Sequence, residues 1–181
     1  MLEISLHILD IAENSLSAGA SLVEIMLEKD DVRDRLTLTV RDNGPGLSPE
    51  DVARVTDPFY TTRTTRRVGL GLSLLKQTAE QSGGEFRIDS APGAGATVRA
   101  EFALSHLDRP PLGNLTDTLM TLIVGRQDAD FVYRQTNDGQ VFELDTREVK
   151  AELDGVPLSN PDVLVFLREN IKSGVADLAR I

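Results

Sequence analysis

The order of helix-like and strand-like segments in the first hundred residues is the feature that most restricts the fold. Residues 4–17 and 71–82 carry apolar side chains at helical spacing. Four further segments read as strands, of which the first two alternate apolar and polar side chains: 22–28, 36–42, 85–90 and 96–104. With a short helix that starts at Ser48-Pro49, this order predicts an α+β fold with helices on one face of a largely antiparallel sheet.

The proline pair Pro110-Pro111 marks a boundary in the chain. Beyond it, two helical patterns, at about 112–124 and from Pro161 onwards, flank strand-like segments at 130–134 and 141–144. Asn137-Asp138-Gly139 is a hairpin-turn sequence between those strands. We therefore expect two units, an α+β domain over residues 1–106 and a small α+β C-terminal appendage over residues 107–181.

Composition excludes several classes of function. The formal net charge of -10 argues against a nucleic-acid surface, which needs basic patches to displace phosphate counterions. Cysteine is absent, so neither a disulfide framework nor a thiolate metal site is expected. The N-terminal residues lack a basic segment, and no apolar run approaches the roughly 20 residues that span a bilayer. These features predict a cytoplasmic protein with protein partners.

Four short motifs follow one another along the chain. They are Asp10-x-x-x-Asn14, Asp42-Asn43-Gly44-Pro45-Gly46, Val68-Gly69-Leu70-Gly71-Leu72 and Gly93-x-Gly95-x-Thr97. Each alone is a weak signal. Together they point to one ligand, an adenine nucleotide with its magnesium ion.

Asp10 and Asn14 lie on one helix face at i and i+4. The amide and carboxylate oxygens can hold a hydrated Mg²⁺ ion, or the carboxylate can deprotonate an attacking water. The alternative for this pair alone is a polar stripe that faces solvent.

Asp42 ends a predicted strand and enters a glycine-rich turn. A half-buried carboxylate there can accept a hydrogen bond from the exocyclic amino group of adenine, and Gly44 and Gly46 let the backbone approach a flat ligand. Thr97 can hydrogen-bond near the same base. The alternative is that both segments are ordinary turns.

A basic segment separates these motifs. Between Asp57 and Glu80 the chain has four cations and no acid: Arg63, Arg66, Arg67 and Lys76. Together with the Thr61 and Thr62 hydroxyls, this composition fits a loop that binds polyphosphate, the alternative being a solvated charged loop.

Gly69-Leu70-Gly71-Leu72 opens the second long helix, whose free N–H groups can bind phosphate. A dinucleotide-binding fold is excluded because Leu74 replaces the third glycine of its fingerprint and no strand precedes Gly69.

The stretch from Leu6 to Leu104 resembles the GHKL superfamily, which includes gyrase, heat-shock chaperones, histidine kinases and the mismatch-repair protein MutL. Residues 7–20 look like the N box, 40–46 like the G1 box, 57–62 like the F box, 69–72 like the G2 box and 93–97 like the last glycine box. The resemblance implies the Bergerat ATP-binding fold, a two-layer α/β sandwich, in a stand-alone histidine-kinase-like ATP-binding protein.

The resemblance also implies roles for individual residues. Asn14 would coordinate the magnesium ion between the phosphates, and Asp42 would bind the adenine amino group with Gly44, Gly46 and Thr97 nearby. Residues 60–68, which include Thr61, Thr62 and Arg63, would form the lid over ATP. The phosphate-binding amides would come from the G2 box: Gly69, Leu70, Gly71 and Leu72.

Two positions depart from the family pattern. Asp10 stands where hydrolysing members have Glu and histidine kinases have Asn, and it is the candidate catalytic base. Arg67 stands where the G2 box usually begins with another glycine.

His106 begins a segment that is faintly similar to the phosphoacceptor box of histidine kinases, but this segment follows the ATPase region instead of preceding it.

Three functions remain open at the level of sequence. The first is a Mg-ATP-dependent ATPase switch that signals through the C-terminal region to a protein partner. The second is a kinase that phosphorylates His or Ser of a partner, or its own His106. The third is a non-catalytic nucleotide-sensing module. Similar stand-alone ATPases with such a C-terminal region resemble companions of bacterial iron-hydrogenase or NADH-linked redox systems, and an oligomer is compatible with all three.

Overall fold

The computed structural model describes residues 3–55 and 71–179, in six helices and six strands. The helices are α1 (Ile4–Ser17), α2 (Pro49–Val55), α3 (Gly71–Gln81), α4 (Leu115–Gly125), α5 (Thr146–Glu152) and α6 (Pro161–Ala179). The strands are β1 (Leu22–Asp30), β2 (Arg35–Asp42), β3 (Phe86–Ser90), β4 (Ala96–Ala103), β5 (Asp130–Asn137) and β6 (Gln140–Asp145). Within the described ranges, none of the helices is both long and apolar enough to cross a membrane.

All six strands belong to one sheet, in the order β3-β4-β2-β1-β5-β6. Every neighbouring pair is antiparallel except β1 with β5, which is parallel. The predicted α+β class and its mixed, largely antiparallel sheet are therefore confirmed.

Alternate residues of the strands build the core beneath the helices. Leu36, Leu38 and Val40 of β2 are buried, and their partners on β4 face the same way. α1 packs against α3 on one side and against α4 on the other, and α4 packs against α6. The opposite face of the sheet carries charged pairs such as Arg99 with Glu101. This arrangement gives two layers, with one apolar interface between them.

The C-terminal region continues the sheet. β5 lies in register beside β1, with Val23 opposite Phe131 and Ile25 opposite Tyr133. The buried apolar residues of both halves form one core. The strands of residues 107–181 therefore lie in the same sheet as those of residues 1–106, and the division into two units at residue 106 stays a prediction.

Both ends of α1 are held by that C-terminal region. The first-turn N–H groups of Ile4 and Ser5 donate to the carbonyl oxygens of Pro111 and Leu112, at 3.0 and 2.9 Å. At the other end, the Arg126 guanidinium donates to the carbonyl oxygen of Leu16 at 3.4 Å. Helix ends leave such groups unsatisfied, so these contacts complete α1 at both termini.

Candidate functional site

Three of the predicted motifs meet at one end of the sheet. Asp42 is the last residue of β2 and pairs with Ala96, the first residue of β4. α1 covers this end, and α3 begins beside α1. Residues far apart in sequence thus surround one region at the carboxyl end of β2.

The Asp42 carboxylate is held by three hydrogen bonds. The Gly44 N–H donates to Oδ1 at 2.9 Å, and the Ala96 N–H donates to the same oxygen at 3.2 Å. The Ser15 hydroxyl donates to Oδ2 at 2.7 Å. A carboxylate has about four acceptor positions, so one remains, and it lies on Oδ2.

Ser15 is a site residue that the sequence reasoning missed. It lies on the buried face of α1, 8% exposed, among Ile8, Ile11 and Ala12. Buried hydroxyls in native proteins are almost always hydrogen-bonded. A serine at a core position one residue after Asn14 was therefore a signal that it binds a polar group of the site.

Replacing Ser15 with alanine is expected to weaken ATP binding about tenfold, because a hydrogen bond to a charged group contributes about 1.5–3 kcal/mol. Isothermal titration with a non-hydrolysable ATP analogue measures the change. Ser17→Ala is the matched control, since Ser17 lies exposed at the end of the same helix. Equal affinities for the two variants would contradict a role of Ser15 in holding Asp42.

Two glycine loops pack tightly against each other beside Asp42. Gly46 and Gly95 both have positive φ angles, 71° and 72°. A Cβ atom at Gly46 would collide with the carbonyl oxygen of Ala91, and one at Gly95 with that of Asp42. The loops are joined by a hydrogen bond from the Gly93 N–H to the Pro45 carbonyl oxygen at 2.7 Å. Glycine is required here by both conformation and space.

The sheet register does not bring the Thr97 side chain next to Asp42. Successive side chains of a strand point to opposite faces, and Ala96 is the residue opposite Asp42. Thr97 pairs with Arg41, so its side chain lies on the other face of the sheet. The contact with Asp42 comes instead from the backbone N–H of Ala96.

Asp10 and Asn14 are half-buried on α1, one turn apart as predicted. Asp10 lies against Gly71, the first residue of α3, where a Cβ atom would collide with the carboxylate oxygen Oδ2. This oxygen is buried and has no hydrogen-bond partner among the described residues. A buried, unpartnered carboxylate oxygen at a helix N-terminus is a position suited to bind water or a ligand group.

The N-terminus of α3 supplies the described part of the predicted phosphate site. Gly71 and Leu72 begin the helix, and the first N–H groups of a helix have no partner within it. The other predicted phosphate and lid residues lie outside the described residues: Thr61, Thr62, Arg63, Gly69 and Leu70.

His106 lies at the opposite end of the sheet. It follows β4, whose first residue pairs with Asp42 and whose last, Ala103, pairs with Arg35. Seven residue steps along β4 correspond to about 23 Å. His106 is therefore about a strand length from Asp42 along the sheet.

The oxygen donors present fit a hydrated magnesium ion. Asn14 carries an amide oxygen one helical turn after the Asp10 carboxylate on the same helix face, and Mg²⁺ binds through few protein oxygens, nucleotide phosphates and waters. Among residues 3–55 and 71–179, no cluster of three or more acidic or histidine side chains is arranged to hold a metal ion alone.

Comparison with known proteins identifies a family for the first 106 residues. The family model described as "Histidine kinase-, DNA gyrase B-, and HSP90-like ATPase" matches residues 2–106. A putative sensor protein of Shewanella frigidimarina is 31% identical over 103 residues, 56% of this chain and 16% of the relative. The sensor histidine kinase YxdK of Bacillus subtilis is 40% identical over 73 residues, 38% of this chain and 22% of the relative. The chain thus spans less than a quarter of the length of these relatives.

A solved structure extends the fold match beyond residue 106. The N-terminal domain of a DNA repair protein covers 97% of this chain, with a TM-score of 0.57 and 15% identity, and the match covers 57% of that protein chain. At this identity the match supports the fold alone, including the strands of the C-terminal region. The match over residues 2–106 shows that the chain belongs to the histidine kinase-, DNA gyrase B- and HSP90-like (GHKL) ATPase family and carries its ATP-binding domain.

Proposed function

We propose that this protein binds Mg-ATP, hydrolyses it slowly, and uses the nucleotide state to signal to a protein partner through its C-terminal region. The observation that carries the proposal is the Asp10 carboxylate, whose buried, unpartnered Oδ2 lies beside the N-terminus of α3. A sensing module needs no such group, whereas hydrolysis needs a base near the terminal phosphate.

Each described residue of the site has one task in this proposal. Asp42 accepts a hydrogen bond from the adenine amino group at its remaining Oδ2 position. Asn14 holds the magnesium ion, which neutralises phosphate charge when bound. The N–H groups of Gly71 and Leu72 bind phosphate oxygens at the positive end of α3. Asp10 orients the attacking water and accepts its proton.

The C-terminal region is in contact with the helix that carries Asp10 and Asn14. Besides its hydrogen bond to Leu16, Arg126 lies 3.9 Å from the carboxylate of Glu13, the neighbour of Asn14. The Thr118 hydroxyl donates to the carbonyl oxygen of Ser5 at 3.4 Å. A shift of α1 on nucleotide binding would change these contacts, which supports transmission to a partner on α4, β5 or α6. A redox enzyme as that partner stays a prediction.

Phosphotransfer to a partner protein is the second candidate. It is favoured by the similarity to sensor proteins and sensor histidine kinases over the matched residues. The position of His106 at the far end of the sheet directs this candidate towards a residue of another molecule.

Asp10→Asn is expected to lower the rate of ATP hydrolysis at least a hundredfold while ATP binding is retained, because general bases contribute about 10²–10⁴ to rates. Phosphate release from γ-labelled ATP measures the rate, and titration with a non-hydrolysable analogue measures binding. The control is Asp89→Asn, the same change at an exposed carboxylate on the edge strand β3.

The labelled nucleotide also separates the alternatives. Incubation with a cell extract that puts label on another protein would favour phosphotransfer. ATP binding without phosphate release or protein label would contradict hydrolysis and leave a sensing module. Absence of ATP binding in the presence of magnesium would overturn the proposal as a whole.

A further inference from the structure

Two buried polar atoms without partners lie about one helical turn apart on α1. Among residues 3–55 and 71–179, three buried side-chain polar atoms have no hydrogen-bond partner: His7 Nε2, Asp10 Oδ2 and Asn137 Oδ1. The large majority of buried side-chain polar atoms are paired in native proteins. His7 and Asp10 are three residues apart, which puts their side chains on the same face of the helix.

His7 is not a surface histidine. Its side chain is 3% exposed, in a helix whose neighbouring buried residues are Ile4, Ile8 and Ile11. Burial lowers the pKa of His7, and the nearby Asp10 carboxylate opposes this by raising it. A neutral imidazole has one N–H donor and one acceptor nitrogen, whereas an ionised carboxylate only accepts. The two unpartnered groups are therefore complementary.

We propose that His7 is a positioning residue for Asp10, and that its imidazole holds the Asp10 carboxylate through one bridging water in the orientation that faces the N-terminus of α3. The inference deepens the proposed ATPase, since Asp10 is the base of that reaction. A single hydrogen-bonded bridge satisfies both buried atoms, and it limits the rotation of a carboxylate that packs against Gly71, a residue without a side chain.

The contact between the two side chains can be tested without nucleotide. The chain has two histidines, so His106→Gln leaves His7 as the only imidazole. Nitrogen-15 NMR then follows the His7 titration in this background, with and without Asp10→Asn. Loss of a bonded carboxylate should lower the pKa of His7 by about one unit or more. Identical titrations in the two proteins would overturn the inference whether or not the protein hydrolyses ATP.

Kinetics test whether His7 acts through Asp10. His7→Phe is expected to lower kcat for ATP hydrolysis about tenfold with KM for Mg-ATP unchanged, since only the base is misplaced. Adding His7→Phe to Asp10→Asn should cause no further loss, because residues that act as one unit are not additive. An equal loss in both backgrounds would overturn the inference in favour of a general packing effect.

His106→Gln is the control for the kinetic experiment. His106 is exposed, and its Nδ1 accepts a hydrogen bond from the Asp108 N–H at the far end of β4. Its replacement should leave both kcat and KM unchanged. If His7→Phe does not fold, His7→Asn keeps a polar side chain at the position, and the NMR experiment requires no change at His7 at all.

Discussion

Replacing Gly95 with alanine is expected to lower the free energy of unfolding by about 3 kcal/mol, the sum of a positive-φ penalty and of overpacking. The new Cβ atom would collide with the carbonyl oxygen of Asp42, and the φ angle of 72° disfavours any L side chain. For a chain of this size the melting temperature should fall by about 6–12 °C. Thermal unfolding followed by circular dichroism measures the change.

Gly93→Ala separates the two causes. Gly93 has a φ angle of 79° in the same loop, but no atom lies within 4 Å of the position that its Cβ atom would take. Its replacement carries the conformational penalty alone, about 1–2 kcal/mol. Equal losses for the two variants would contradict the close approach of the two glycine loops.

The Gly95 and Gly93 variants should also differ in ATP binding. The N–H that follows Gly95, that of Ala96, donates to Asp42 Oδ1, and the Gly95 carbonyl oxygen accepts from the Ser90 hydroxyl at 2.7 Å. Gly95→Ala must shift this backbone, whereas Gly93→Ala leaves it in place. We therefore expect weaker ATP binding in the Gly95 variant even at temperatures where both proteins are folded.

Local sequence patterns predict those helices and strands whose bounds depend on their own side chains. The uninterrupted helical spacing from residue 4 to residue 17 matches the bounds of α1. The strand predicted over 130–134 extends further, since β5 ends at Asn137. Its inward positions Gln135 and Asn137 are polar yet 6% and 2% exposed, so the apolar alternation that marks a half-buried strand ends too early in the sequence.

Contacts between distant segments were beyond sequence reasoning. The parallel pairing of β5 with β1 joins residues more than a hundred positions apart, and no local pattern encodes such a partner. The start of α4 shows the same limit, because the carbonyl oxygen of Leu112 accepts a hydrogen bond from α1 and the helix begins only after the Asn114 cap. The sequence therefore did not indicate that the strands of the C-terminal region pair with those of the first hundred residues.

In the site, the motifs identified the residues but not their mutual arrangement. Asp42 lies at the end of a strand and Asp10 within a helix, both elements that the motifs placed correctly. The hydrogen bond from Ser15 to Asp42 depends on how α1 crosses the sheet. The residue of β4 that contacts Asp42 is Ala96 instead of Thr97. This is a shift of one residue, and in a strand such a shift moves a side chain to the other face of the sheet.

Asp42→Asn is expected to reduce ATP affinity at least a hundredfold, the largest effect on ATP binding that we predict. A site built to hydrogen-bond one group of a ligand discriminates strongly when its own donor or acceptor is reversed. Titration with a non-hydrolysable ATP analogue measures the loss. The control is Asp89→Asn, since Asp89 is an exposed carboxylate on the edge strand β3, where it pairs with Arg87 of the same strand.

The orientation of the new amide follows from the hydrogen bonds of Asp42. The Oδ1 position faces two N–H donors, from Gly44 and Ala96, so the amide oxygen of the substituted side chain must take it. The NH₂ group then occupies the Oδ2 position, where the carboxylate had its remaining acceptor. A donor there faces the adenine amino group, which is also a donor, and the hydrogen bond is replaced by repulsion.

The same geometry predicts the direction of a change in base preference. Guanine carries a carbonyl oxygen where adenine carries its amino group, so the NH₂ of the variant can donate to it. In Asp42→Asn we therefore expect the affinity for ATP to fall and the affinity for GTP to rise, so that the ratio of ATP to GTP affinity falls. Asp89→Asn should keep the wild-type ratio. An unchanged ratio with reduced affinity for both nucleotides would mean that Asp42 supports the loop without contacting the base.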